Sequence, residues 1–199
     1  MLKKTFMKKY QDFANEVLNC QRCLLKDANR AAPYGGYKPV FAFLGMSLHG
    51  EANQIPFLCD SGEVLSRLLL KLSFSKISSG SSGSTSSSYT IFNVVACHTP
   101  RNRPPEPNEI KNCKKNLYKF FELYSPKFTV ALGGVACDVL TELFGCPRPG
   151  REEIVKLCEG HWFLTLPHPA YPMRQGREAC DVWVAQNAEL LKKLMEWKN

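Results

Sequence analysis

The sequence predicts an α/β protein, a three-layer α/β/α sandwich built on a four-stranded parallel sheet. Four short apolar runs, at 40–44, 89–95, 128–132 and 162–166, have the length and unbroken hydrophobicity of strands buried on both faces. Stretches of helical periodicity at 62–73, 107–124, 134–144 and 179–197 separate and follow them, so strand and helix alternate. Such alternation joins parallel neighbours through crossover helices, which then cover both faces of the sheet.

Taken in chain order, Phe6, Tyr10, Phe13 and Val17 recur at helical spacing and predict an amphipathic helix ending near "CQRC". The first strand leads into "GMSLHGEANQIPF" and the first crossover helix. The segment "SSGSSGSTSSS", Ser78 to Ser88, is low in complexity and reads as a solvated insertion before the second strand, since loop closure costs little more as a loop lengthens. The second strand ends in "NVVACH", the third in "GG" and the fourth in "PHPAY". Open sheets of this class bind ligands beyond the carboxyl ends of their strands, which marks these junctions as the candidate site. No repeat and no second domain is visible, and 1–199 reads as one domain.

Composition narrows the class of partner. A formal charge of +8 and a pI near 9.0 suit a polyanion such as nucleic acid, although solubility alone accounts for such a charge as well. No stretch is long and uncharged enough to span a bilayer, so no membrane association is expected. The opening "MLKKTFMKKYQDF" lacks the apolar run and cleavage site of a secretory signal. The expected location is intracellular, in the cytoplasm or, in a eukaryote, the nucleus. Nine cysteines, an odd number, argue in that setting for ligation rather than a disulfide framework.

Cys20 and Cys23 form a close pair; Cys97 and Cys113 form a wide one. The second spacing is too wide for the paired knuckles of a zinc ribbon, and "CQRC" follows a helix rather than opening one, unlike a redox dithiol. An iron-sulfur cluster takes four thiolates from scattered positions, provided the fold converges them. Ordinary burial is the competing account, and is accepted for Cys59, Cys137, Cys146, Cys158 and Cys180.

The "CQRC" pair, "PFLCDSGEVLSRLL", "NVVACHTPRNRPPEPNEIKNC", "LGGVA" and "LPHPAYPMR" stand in one order and spacing. Together they resemble the family 4 iron-sulfur enzymes of the uracil-DNA glycosylase superfamily, over nearly the whole chain except the serine insert. The resemblance implies a 4Fe-4S cluster on Cys20, Cys23, Cys97 and Cys113, stapling the loop 98–112. It implies that Arg101 and Arg103 on that loop hold DNA phosphates; pairing with nearby acids is the alternative. Asn93 matches the asparagine that reads uracil, Phe57 the aromatic that stacks on the flipped base, and His168 the histidine that donates to uracil O2. His161 reads as structural. The segment after His168 resembles the loop that presses into a duplex, with Pro172 or Met173 as the apolar wedge and Arg174 and Arg177 on phosphates.

The first loop departs from the family. Gly45, Met46 and Ser47 fall on the substrate side, but Met46 takes the place of the acid in the family's G-E-x-P-G stretch, and a thioether neither accepts a proton from water nor stabilises a cation by charge. Glu51 is one candidate for the missing carboxylate; His49 is another polar candidate, as a base, a DNA contact or a nucleophile. The expected activity is hydrolysis of the N-glycosidic bond of deoxyuridine in DNA by a monomer. The alternative is a weakly catalytic or non-catalytic relative that binds uracil or DNA as a replication or repair accessory.

Overall fold

The computed structural model describes residues 3–50, 55–74, 77 and 88–197. In chain order the elements are α1 (Lys3–Leu18), β1 (Tyr34–Gly35), β2 (Phe41–Leu48), α2 (Asp60–Lys71), β3 (Tyr89–His98), α3 (Pro107–Tyr124), β4 (Phe128–Leu132), α4 (Gly134–Phe144), β5 (Ile154–Cys158), β6 (His161–Leu166), α5 (Ala170–Met173) and α6 (Arg177–Glu196). The sheet has six strands in the order β1-β3-β2-β4-β6-β5. Its middle four, β3, β2, β4 and β6, are mutually parallel and are the four expected; β1 and β5 add antiparallel edges.

Side-chain alternation along the central strands builds two cores. Phe41, Phe43, Ile91, Val130 and Leu164 pack on one face against Leu65, Leu68 and Leu69 of α2 and Trp183, Val184 and Leu191 of α6. Ala42, Leu44, Phe92, Val94, Ala131 and Phe163 face the other way, against α1, α3 and α4 through Phe13, Val17, Leu117, Phe120 and Leu140. Burial on both faces is why these strands read as unbroken apolar runs. Among the described residues, no helix is long and apolar enough to cross a membrane.

Two strand ends run further than expected, and both matter to the site. β2 continues through Gly45, Met46 and Ser47 to Leu48 because it keeps pairing with β3, at Gly45↔Asn93 and Ser47↔Val95, before the register slips to Leu48↔His98. β3 likewise runs to His98. The start of α3 is held by a capping box, in which Glu109 accepts from the Glu106 backbone N–H at 2.8 Å, with Pro107 in the first turn. Residues 78–87 of the expected insertion lie outside the described residues; Ser88 accepts from the backbone N–H of Val40 at 2.7 Å, where β2 and β3 begin.

Candidate functional site

A cavity of about 430 Å³ opens at the carboxyl end of the sheet. Met46, Ser47 and Leu48 of β2 and the exposed His49 form one wall. Phe57, Cys59, Asp60 and Ser61, at the turn into α2, form a second. His168, Ala170, Met173 and Arg174 form a third, and Asn102 reaches the rim.

The seat of the Phe57 ring depends on a glycine. A Cβ on Gly45 would stand 2.6 Å from Asn93 Oδ1 and 2.6 Å from Phe57 Cε2, so only glycine lets the asparagine amide and the ring meet against the strand. Phe57 is 8% exposed and takes φ +60°, a left-handed conformation that a bulky residue adopts only when its surroundings impose it. Gly62 imposes it, because a Cβ there would lie 1.5 Å from the Phe57 carbonyl oxygen. Asn93 is 2% exposed, and its Oδ1 is buried without a hydrogen-bond partner among the described residues. Leaving such an acceptor unsatisfied costs about 1–3 kcal/mol, and a ligand donor is one way to recover it.

His168 is set up as a neutral donor. Its Nδ1 accepts from the Ala170 backbone N–H at 3.1 Å, which places the ring proton on Nε2. Burial, with smaller contributions from Arg174 and His49, holds its pKa down at about 4, so the imidazole is uncharged at neutral pH. The ring lies 5.7 Å from that of Phe57, at an interplanar angle of 30°. Phe57 and His168, read from separate motifs, thus line one cavity, and Asn93 approaches the Phe57 ring across Gly45. His161 is structural as expected: Nε2 lies 2.7 Å from Thr129 Oγ1, and the ring packs against Phe121 and Phe144.

The first loop is only partly described. Met46 lines the cavity, Ser47 Oγ lies 3.4 Å from Thr99 Oγ1, and His49 stands at the mouth; Glu51 lies outside the described residues. Sequence reasoning missed Cys59, Asp60, Ser61 and Asn102 as lining residues. "CDS", one residue after Phe57, was the available signal.

The segment after His168 corrects one expectation. Pro172 is buried and Met173 is half-buried, packed against the core and facing the cavity, so neither stands out as a wedge. The turn of α5 instead exposes Tyr171, at 59%, followed by exposed Arg174 and Arg177. Arg103 also differs from Arg101. Its guanidinium is bidentate to Glu109, at 2.9 and 2.7 Å, with Glu106 at 3.2 Å, so it braces the loop rather than reaching outward. Arg101 is exposed, carries no ion pair among the described residues, and with Asn102 adopts a left-handed backbone, φ +55° and +56°.

On the opposite side of the end of β3, Cys20, Cys23, Cys97 and Cys113 line one small cavity. Antiparallel bridging of Arg30 to Cys97, with Ala31 N–H donating to Ala96 at 2.9 Å and His98 N–H to Asn29 at 2.7 Å, docks the N-terminal pair onto the strand. The buried Arg30 guanidinium donates to the carbonyls of Cys20 and Lys26, and Arg22 Nε donates to Cys20 Sγ at 3.2 Å. Burial pushes the Cys97 thiol up to about 12 and that of Cys113 to about 11. Thiolates there therefore need nearby positive charge, which a bound metal supplies. No group of three or more His, Cys, Asp or Glu among the described residues is arranged to hold a metal ion. Four thiols lining one cavity are the donor set that an iron-sulfur cluster takes.

Residues 34–195 match the family described as the uracil DNA glycosylase superfamily. The type-4 uracil-DNA glycosylase of Archaeoglobus fulgidus is 28% identical over 146 residues, covering 69% of this chain and 66% of that protein. That of Saccharolobus solfataricus is 33% identical over 60% of this chain and 53% of its own length. These matches span less than two thirds of either relative's length. The type-4 enzyme of Thermotoga maritima is 25% identical over 92% of this chain and 93% of its own.

Proposed function

The chain belongs to the uracil DNA glycosylase superfamily, and from that premise we propose that it hydrolyses the N-glycosidic bond of deoxyuridine in DNA. The observation that carries this reading is the buried Oδ1 of Asn93, without a hydrogen-bond partner among the described residues, beside the Phe57 ring. Uracil presents a donor at N3 and an acceptor at O4, which one fixed amide matches with Oδ1 and Nδ2; cytosine presents the reverse pattern and leaves both unpaired. Phe57 stacks on the base that has left the duplex, offsetting part of the few kcal/mol that unstacking costs.

As the bond to C1′ lengthens, negative charge builds on the base. The Nε2–H of neutral His168 donates to O2 and holds that charge, in a partly dry pocket where one such donor is worth about 10²–10³ in rate. Met46 contributes shape but no charge. Arg174 at the cavity wall and Arg101 and Arg177 outside it hold phosphates, and Tyr171 offers the apolar surface that Pro172 and Met173 do not.

Cys20, Cys23, Cys97 and Cys113 would hold a 4Fe-4S cluster, which supplies four bonds cross-linking the N-terminal segment, the end of β3 and the start of α3. The reading rests on their shared cavity and on the family resemblance. The loop 98–112 is then tied at both ends, with the Arg103–Glu109 pair bracing it between.

The test is direct: incubate the protein with single- and double-stranded oligonucleotides carrying one uracil, then treat with alkali. Strand scission at uracil supports the enzyme. Retention of the oligonucleotide without scission supports the non-catalytic relative instead.

A further inference from the structure

β2 presents a methionine, Met46, to the cavity, yet the cavity is not without a carboxylate. Asp60 lines it, and among the described residues it is the one acid that does. It stands at the first position of α2. Asp138 is paired with Arg148 and Asp181 with Arg67, whereas Asp60 has no ion pair or side-chain hydrogen bond among the described residues. Its position is tightly held. Cys59 caps the helix, its carbonyl accepts from Gly62 N–H at 2.8 Å, and Gly62 lies hard against the Phe57 carbonyl. The turn that aims the Phe57 ring therefore also fixes Asp60, three residues on. Met46 faces the same cavity from β2.

On the reading that this cavity excises uracil, we infer that Asp60 is the carboxylate of the reaction, holding the positive charge that develops on the sugar and accepting the proton of the attacking water. The C1′–N1 bond breaks with its electron pair leaving on the uracil ring, held by His168 and Asn93. Water oxygen bonds C1′; its proton passes to the Asp60 carboxylate and on to solvent, while the uracil anion takes a proton from solvent. One water is added across the bond and nothing is oxidised or reduced. A purely structural role for Asp60, favouring the start of α2, would act on stability and not on the chemical step.

The two roles separate in Asp60→Asn, which keeps the shape and removes the charge. Single-turnover excision should fall by about 10²-fold or more. Binding of an oligonucleotide carrying 2′-fluoro-deoxyuridine, which resists cleavage, should be unchanged, as should the melting temperature. Adding Met46→Glu to Asp60→Asn should restore part of the rate, since it returns a carboxylate to the same cavity. If Asp60→Asn unfolds, Asp60→Ser, which suits a helix start, carries the same measurement. Excision at the parental rate in the variant overturns the inference and leaves the uracil reading intact, as does a loss shared equally by binding and melting temperature with no rescue. A parent protein that leaves uracil in place removes the reading itself, and this inference with it.

Discussion

Gly45→Ala adds one methyl group at the point where Asn93 and Phe57 meet. The new Cβ would stand 2.6 Å from Asn93 Oδ1, and 2.6 and 2.7 Å from Phe57 Cε2 and Cζ. Carbon atoms rest at about 3.5–4.0 Å, so the ring must retreat by roughly 1 Å. Neither neighbour can yield cheaply. Asn93 is held in β3 opposite Gly45, and the Phe57 backbone is held at φ +60° by the close approach of Gly62. Overpacking of this kind costs about 1–3 kcal/mol of stability, which the fold should survive. Excision should suffer more, since a displacement of about 1 Å in a positioned group can cost about 10²-fold. The assay is single-turnover release of uracil from a labelled oligonucleotide, with thermal melting alongside. A variant that keeps the parental rate would refute the idea that Gly45 sets the spacing of the base slot.

Two further outcomes follow from the same geometry. Burial holds His168 and His161 near pKa 4, below the ordinary 6.5, so both favour the fold fully above pH 6.5, and that contribution is lost as pH falls from 6.5 towards 4. Excision should therefore not fall through pH 6.5 on account of His168, and a nuclear magnetic resonance titration of its ring should show a midpoint well below that of free imidazole; a midpoint near 6.5 would contradict the dry-pocket argument. Cys97→Ser or Cys113→Ser should lower iron content and expose the loop 98–112 to proteolysis, whereas Cys158→Ser, at an exposed position remote from the four-thiol cavity, should do neither.

The central sheet was legible because its strands are buried on both faces and read as plain apolar runs. β1 was not, being two residues long, and β5 was not, because its residues are half-buried or exposed and one is a lysine. The site divides in a similar way. Phe57, Asn93 and His168 lie in separate motifs whose resemblance to a family located them, but the orphan oxygen of Asn93 and the tautomer of His168 exist only once the chain is folded. Asp60 reads along the chain as an ordinary acid at a helix start, and only the Phe57–Gly62 turn brings it to the cavity. Pro172 looked free to act as a wedge because the turn of α5 that buries it is four residues long, too short for periodicity to reveal. Arg103 shows the reverse case: acids three and six residues on, at Glu106 and Glu109, could have been read as its partners from spacing alone.

The most direct test of the central claim is single-turnover uracil excision by the parent protein beside the double variant Asn93→Ala, His168→Ala, on the same single-uracil oligonucleotide. On the proposed reading Asn93 reads the base and His168 stabilises it as it leaves, so the parent should release uracil and leave an alkali-labile site, while the double variant should fall by about 10²–10³-fold or more. Excision by the double variant at the parental rate would contradict the assignment of this cavity as the site of uracil recognition and release.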